Sequence, residues 1–134
     1  MKKNEYLAKN VAFLDEIRKK EGVKELRGGV LYEVVSSGDG SGVVKPRSIV
    51  TCHYKGSLIN GKVFDNSYER NCPEAFRANE LISGFQIALV NMHIGDHWIV
   101  YIPSEMGYGS RGAGRDIPGN STLIFEIELL GVQG

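Results

Sequence analysis

The apolar residues of this chain keep one rhythm over its first twenty or so positions and another from position 28 onward. Tyr6, Leu7, Val11, Phe13, Leu14 and Ile17 recur among charged residues, with no proline in residues 1–27. At about 100° per residue they cover an arc of roughly 160°, which predicts an amphipathic helix that Gly22 ends. Such a helix either packs on its own domain or serves as a dimerisation surface, and its length leaves both open. From Gly28 short apolar runs alternate with turn residues: Val30 to Val35, a loop from Ser36 to Pro46, then Ile49 to Leu58. That punctuation predicts strands. Asn60-Gly61 between apolar flanks predicts a β-hairpin with a type I′ turn. Between Leu81 and Met92, Ile82, Phe85, Leu89 and Met92 fall three and four apart, which predicts one short helix closed by Gly95. His97 to Ile102 and Leu123 to Val132 predict two last strands, the second with Leu123, Phe125, Ile127 and Leu129 on one face and Ile124, Glu126 and Glu128 on the other. The expected fold is α+β: an antiparallel β-sheet wrapped around one short helix, preceded by the N-terminal amphipathic helix. Residues 1–27 form that helix and a linker, and residues 28–134 form the domain.

Composition narrows the function classes. Sixteen Lys and Arg balance sixteen Asp and Glu, so no broad field draws the protein onto nucleic acid or an anionic membrane. Seventeen glycines exceed an ordinary share and fit a turn-rich fold. Cys52 and Cys72 have neither disulfide-framework nor metal-ligand spacing and read as free thiols. No apolar stretch approaches the ~20 residues of a membrane span, and Met1-Lys2-Lys3 leads into polar residues, not a signal region. As written the chain reads as cytoplasmic, and as periplasmic if a cleaved signal once preceded it.

Several motifs carry less than their spelling suggests. Gly107-Tyr108-Gly109-Ser110-Arg111-Gly112 satisfies G-x-G-x-x-G, but Gly114, Pro118 and Gly119 follow where a dinucleotide site needs a helix. His93 and His97 are four apart with Gly95 between them and no third ligand nearby, so they read as surface histidines with no metal. Asn120-Ser121-Thr122 is a glycosylation sequon that matters only in a secreted, glycosylated protein. No Gly-x-Ser-x-Gly elbow or Ser/His/Asp set supports covalent catalysis. What remains is a concentration of aromatic residues beside turns: Tyr54, Phe64, Phe76, Phe85, Tyr108 and Phe125, with Asp65 and Arg70 near the hairpin. Each aromatic alone reads as core, and Asp65 in Asp65-Asn66-Ser67 reads as a turn residue.

At these residues the sequence resembles the FKBP-type peptidyl-prolyl cis-trans isomerases. Val50 to Gly56, Gly61 to Ser67, Ile82-Ser83-Gly84-Phe85, Tyr108-Gly109, Ile117-Pro118 and Thr122 to Leu130 match that family's pattern in order and spacing, over about residues 28 to 131. Tyr101-Ile102-Pro103-Ser104 and Arg111-Gly112-Ala113-Gly114 look like the bacterial branch related to macrophage infectivity potentiators. In that branch a longer N-terminal helix mediates dimerisation and export to the periplasm is common. The resemblance implies a cofactor-independent isomerase acting on Xaa-Pro bonds of polypeptides and binding rapamycin-like macrolides. It implies a proline pocket in which Tyr54, Phe64, Asp65, Tyr108 and Phe125 are catalytic, and Arg70, Phe76, Leu81, Ile82, Phe85 and Ile117 hold substrate. Phe85 is the expected floor, where many relatives have tryptophan, and Trp98 reads as core. The Tyr108 hydroxyl and the Ile117 backbone N–H are the expected donors to peptide carbonyls, with Asp65 held by Arg70 and the Tyr54 hydroxyl. Glu74 stands where an aromatic is frequent and Ala113 where some eukaryotic members have histidine, departures that bear on affinity and substrate preference. The N-terminal helix implies a monomer or weak homodimer. The alternative is a noncatalytic proline-binding chaperone or adaptor that keeps the same pocket.

Overall fold

The structure, a computed structural model, describes residues 2–134. An all-antiparallel seven-stranded sheet wraps around helix α2 (Ser83–Leu89), and helix α1 (Lys3–Arg18) lies against the sheet's outer side. The strands are β1 (Lys24–Glu25), β2 (Leu31–Ser36), β3 (Ile49–Ser57), β4 (Val63–Asn66), β5 (Glu74–Arg77), β6 (His97–Ile102) and β7 (Leu123–Gln133). Their order is β1-β2-β6-β7-β3-β4, and β5 pairs with β3 as well. β3 and β7 form the spine, paired from Ile49↔Gln133 to Ser57↔Ile124. Their inward residues Val50, Cys52, Tyr54, Phe125, Ile127 and Leu129 are buried in alternation, the period-two burial expected of a sheet with one dry face.

β4 and β5 share one edge of β3, β4 against Lys55–Ser57 and β5 against Ile49–Cys52. The residues between them leave the sheet as an excursion that carries Arg70. α2 fills the hollow of the sheet with Phe85, Ile87, Ala88 and Leu89, all buried. Gly84 lets it sit close, since a Cβ there would collide with the Ile102 side chain. The helix is shorter than the apolar spacing over 81–92 predicts, because the chain turns after Val90 and Met92 N–H bonds back to Leu89 C=O.

The hairpin stands where Asn60-Gly61 places it, but its turn is different. Gly61 N–H bonds to Leu58 C=O at 2.9 Å and Leu58 N–H to Lys62 C=O at 2.9 Å. Gly61 alone adopts positive φ, at 89°, and Asn60 does not. This is a type I turn over Ile59-Asn60 followed by a left-handed glycine, not a type I′ turn.

α1 packs on its own domain through part of the apolar set and one polar residue. Leu14 and Ile17 are buried against Leu31 and Tyr101, with Phe13 beside them. Leu7 and Val11 are exposed, and Asn10 takes the inward position between Tyr6 and Leu14, 2% exposed. The segment after α1 also belongs to the sheet, since β1 pairs with β2 through Lys24↔Tyr32 and Glu25↔Leu31. Trp98 lies in the core stacked on Tyr32, ring centroids 4.0 Å apart.

Candidate active site

Between the concave face of the sheet, the start of α2 and the long loop joining β6 to β7, a hollow of about 330 Å³ opens to solvent. Its lining is Tyr54, Phe64, Asp65, Phe76, Glu80, Leu81, Ile82, Phe85, Tyr108, Ile117 and Phe125. Ten of the eleven residues the sequence nominates therefore stand around one cavity. Arg70, the eleventh, reaches it through its contacts with Asp65 and Tyr54. Glu80, exposed at the rim, was not anticipated, since an acidic residue in a short connection carries no local signal of its neighbours.

The rings set one another's angles. Phe85, nearly fully buried on α2, meets Phe125 edge-on at 5.1 Å and Tyr54 at 6.1 Å, and Phe64 meets Phe125 at 5.6 Å and 86°. Phe76 on β5 closes the other side at 5.7 Å from Tyr54. Edge-to-face pairs of this kind add to simple burial and resist rotation. Gly56 makes their assembly possible. It lies on the inward face of β3, and a Cβ there would stand 2.6 Å from Phe64 Cζ and 2.8 Å from Phe125 Cε1.

One wall is polar. Tyr54 Oη donates to Asp65 Oδ2 at 2.6 Å, and Arg70 donates through Nη1 to Asp65 Oδ1 at 2.7 Å and through Nη2 to Glu74 Oε1 at 3.2 Å. Partial burial pushes the Asp65 carboxyl up, but the Tyr54 and Arg70 hydrogen bonds and the Arg70 charge outweigh it, so the group lies below its ordinary value and is ionised at neutral pH. The same contacts act on Tyr54 in the other direction: burial, then the bond to the Asp65 carboxylate, push its phenol up to about 12. Tyr54 is thus a donor locked onto Asp65, not an acid that titrates. Glu74 takes part as the second carboxylate on Arg70.

The opposite wall is a loop pair. Tyr108, 40% exposed, sits on the turn after Ser104–Met106 and its hydroxyl makes no hydrogen bond among the described residues. Ile117 faces it from a small bridge with Ala113. Gly109 C=O accepts from Asn120 N–H at 2.9 Å, and Gly112 and Gly119 leave room for the two arms to touch backbone to backbone. The Ile117 N–H, the expected donor to a peptide carbonyl, donates to Ala113 C=O at 3.2 Å. An unengaged amide lies elsewhere in the lining. Ile82 caps α2 without a side-chain partner, and its own N–H has no acceptor among the described residues, as the first turn of a helix leaves donors unpaired. The Gly107–Gly112 run lies in this turn-rich loop and leads into no helix. His97 Nε2 pairs with Glu126 Oε2 at 2.7 Å, whereas His93 lies beside Asp96. Among the described residues no three His, Cys, Asp or Glu side chains gather as a metal site.

Residues 40–130, which include the whole lining, match the family described as FKBP-type peptidyl-prolyl cis-trans isomerase. The chain belongs to that family. Among similar FKBP-type proteins, the 22 kDa peptidyl-prolyl cis-trans isomerase of Escherichia coli is 44% identical over 92% of this chain and 59% of its own length. The Mip isomerase of Coxiella burnetii is 41% identical over 93% of this chain and 54% of its own. The chain thus spans little more than half of these curated relatives. A peptidyl-prolyl cis-trans isomerase from Pseudomonas syringae, solved by crystallography, superposes with a TM-score of 0.92 at 36% identity, covering 100% of this chain and 98% of that one. FkpA from Escherichia coli superposes with a TM-score of 0.91 at 40% identity, over 97% of this chain and 60% of that one. The FKBP-type likeness therefore includes α1 as well as the domain that follows it.

Proposed function

We propose that this chain catalyses cis-trans isomerisation of Xaa-Pro peptide bonds in polypeptides, within a unit formed by residues 28–134. The observation that carries this is the hollow whose floor and sides are the edge-to-face rings of Phe85, Phe125, Phe64 and Tyr54. An Xaa-Pro bond resists rotation by ~18–20 kcal/mol because resonance holds it planar. The planar, charge-separated form is the one water favours, so seating the prolyl ring on Phe85 between Phe64 and Phe125 strips water from the amide and lowers the barrier to twisting. No bond to the protein forms. The Tyr108 hydroxyl and the Ile82 N–H donate to peptide carbonyls and hold the chain on either side of the rotating bond. Asp65, fixed as a carboxylate by Tyr54 and Arg70, presents a negative wall to the twisted amide, in which the carbonyl carbon is more electron-poor. Leu81, Ile82, Phe76 and Ile117 complete the apolar enclosure.

The same hollow takes a rapamycin-like macrolide, which competes with peptide. The chain is a monomer or weak homodimer through α1, a reading supported by the outward Leu7 and Val11. Light scattering that gave a concentration-independent dimer would reject it. The catalytic reading is tested by exchange NMR on an Xaa-Pro peptide. Acceleration over buffer is expected, with a loss of about 10-fold or more in Phe85→Ala, whose floor is gone. No acceleration by the wild-type chain overturns it.

A further inference from the structure

We infer that α1 is a strut for the loop wall of the hollow, and that Tyr6 and Asn10 are positioning residues for Ile117 and Tyr108. The inference rests on the proposed catalytic reading. The turn 118–121 joins the two arms of that wall, because Ile117 leads into it and Asn120 N–H holds Gly109 C=O, next to Tyr108. Two residues of α1 grip the turn. Tyr6 Oη lies 2.9 Å from Ser121 Oγ, and Ser121 Oγ donates in turn to Pro118 C=O at 2.7 Å, so the Tyr6 hydroxyl is the donor in the first contact. Asn10 Oδ1 accepts from Thr122 N–H at 2.7 Å, while Asn10 Nδ2 donates to Tyr6 C=O at 2.8 Å and locks the amide's orientation.

The contacts lie more than 110 residues apart in sequence; the Asn10–Thr122 bond is buried and the Tyr6–Ser121 bond part-buried. Asn10, Ser121 and Thr122 are each 2% exposed or less, and the buried Thr122 hydroxyl has no partner of its own among the described residues. A polar side chain facing inward on a helix is tolerated when its bonds are satisfied, and losing it leaves the Thr122 amide buried and unpaired. Leu14 and Ile17 anchor the same helix against Leu31 and Tyr101, a separate cluster. Apolar anchoring and wall position are thus served by different residues of one helix.

The test compares Tyr6→Phe and Asn10→Ala with Leu14→Ala as control, all at a temperature where circular dichroism shows each chain folded. Loosening the wall weakens the hold on substrate more than the chemistry of rotation, so KM should rise about 3- to 10-fold with kcat within about twofold in the first two variants. The Ile117 and Tyr108 amide resonances should move in the same two. Leu14→Ala should lower the melting temperature and leave KM and both resonances in place. Should Asn10→Ala fail to fold, Tyr6→Phe, which keeps the ring, carries the test alone. Unchanged KM with unmoved resonances in Tyr6→Phe, or an equal response in Leu14→Ala, overturns the strut. A wild-type chain that does not accelerate isomerisation defeats the catalytic reading instead, and the resonance comparison still decides the strut.

Discussion

Gly56→Ala separates the shape of the hollow from the stability of the fold. Its Cβ would meet Phe64 Cζ at 2.6 Å, Phe64 Cε1 at 2.7 Å and Phe125 Cε1 at 2.8 Å. Carbon atoms rest at about 3.5–4.0 Å, so the rings must retreat by about 1 Å. They cannot retreat into the core, where Phe125 is wedged edge-on against Phe85 at 5.1 Å. The open side is the hollow itself, so Phe64 moves into the space the prolyl ring requires. Overpacking of this kind costs about 1–3 kcal/mol, and an escape into open space keeps it in the lower half of that range, a loss of about 3–10 °C in melting temperature. Isomerisation by exchange NMR should fall by about 10- to 100-fold, the scale attached to a 1 Å misplacement at a reacting centre. Gly61→Ala is the matched control in the same hairpin. Nothing lies within 4 Å of its Cβ, but its φ is 89°, so it loses stability through backbone strain while the rings stay put. If both variants lose stability and neither loses rate, the rings do not form the working surface.

Tyr54→Phe removes the 2.6 Å donor to Asp65; activity should fall about 3- to 10-fold, and the Asp65 carboxyl, followed by carbon NMR, should titrate higher than in the wild type, whereas an unmoved titration would show that Arg70 alone holds it. Because the folded chain depresses the Asp65 pKa, its ionised form favours the fold: that stabilisation is present above the ordinary carboxylate value of ~3.9 and is lost as pH falls through the lower folded value. Wild-type melting temperature should therefore drop more steeply between about pH 5 and pH 2 than that of Asp65→Asn, and parallel curves would refute the argument. Cys52 is fully buried and its thiol is pushed up to about 12 by that burial, while Cys72 is exposed; an aromatic disulfide reagent should label one thiol per native chain and two after unfolding, and two in the native chain would contradict the packing of β3.

The elements that could be read in the sequence are those whose signal is local. β3 and β6 announce themselves as apolar runs between turn residues, β7 by alternation, and α2 by Ile82, Phe85 and Leu89. β5 was missed because Glu74-Ala75-Phe76-Arg77 is four residues long, follows a proline, and owes its strand conformation to β3 across the ladder. The hairpin was placed correctly and its turn was not, because Asn-Gly serves both a type I′ turn and a type I turn with Gly61 as the left-handed residue. Leu7 and Val11 widen the apparent apolar arc of α1, yet the inward position goes to Asn10, whose partner Thr122 lies 112 residues away. Spacing cannot reveal a polar residue that becomes inward only once the backbone N–H it accepts from arrives.

The aromatic floor and the donors also differ in kind, and that difference explains what the family pattern supplied and what it missed. Phe85, Phe125 and Tyr54 act through identity, so matching residues by position nominates them. A backbone donor acts through the absence of a competing acceptor, which no residue type encodes. Ile117 and Ile82 are the same residue, both line the hollow, and both have an N–H to offer. Ala113 C=O stands across a two-residue bridge from Ile117 and takes its proton, while Ile82 stands ahead of a helix with no side-chain cap. The hydrogen-bond balance of the backbone therefore leaves the Ile82 N–H as the unengaged amide that the proposed reading uses, and on that reading a variant that freed Ile117 by breaking the Ala113 bridge would alter the wall without supplying a second positioned amide.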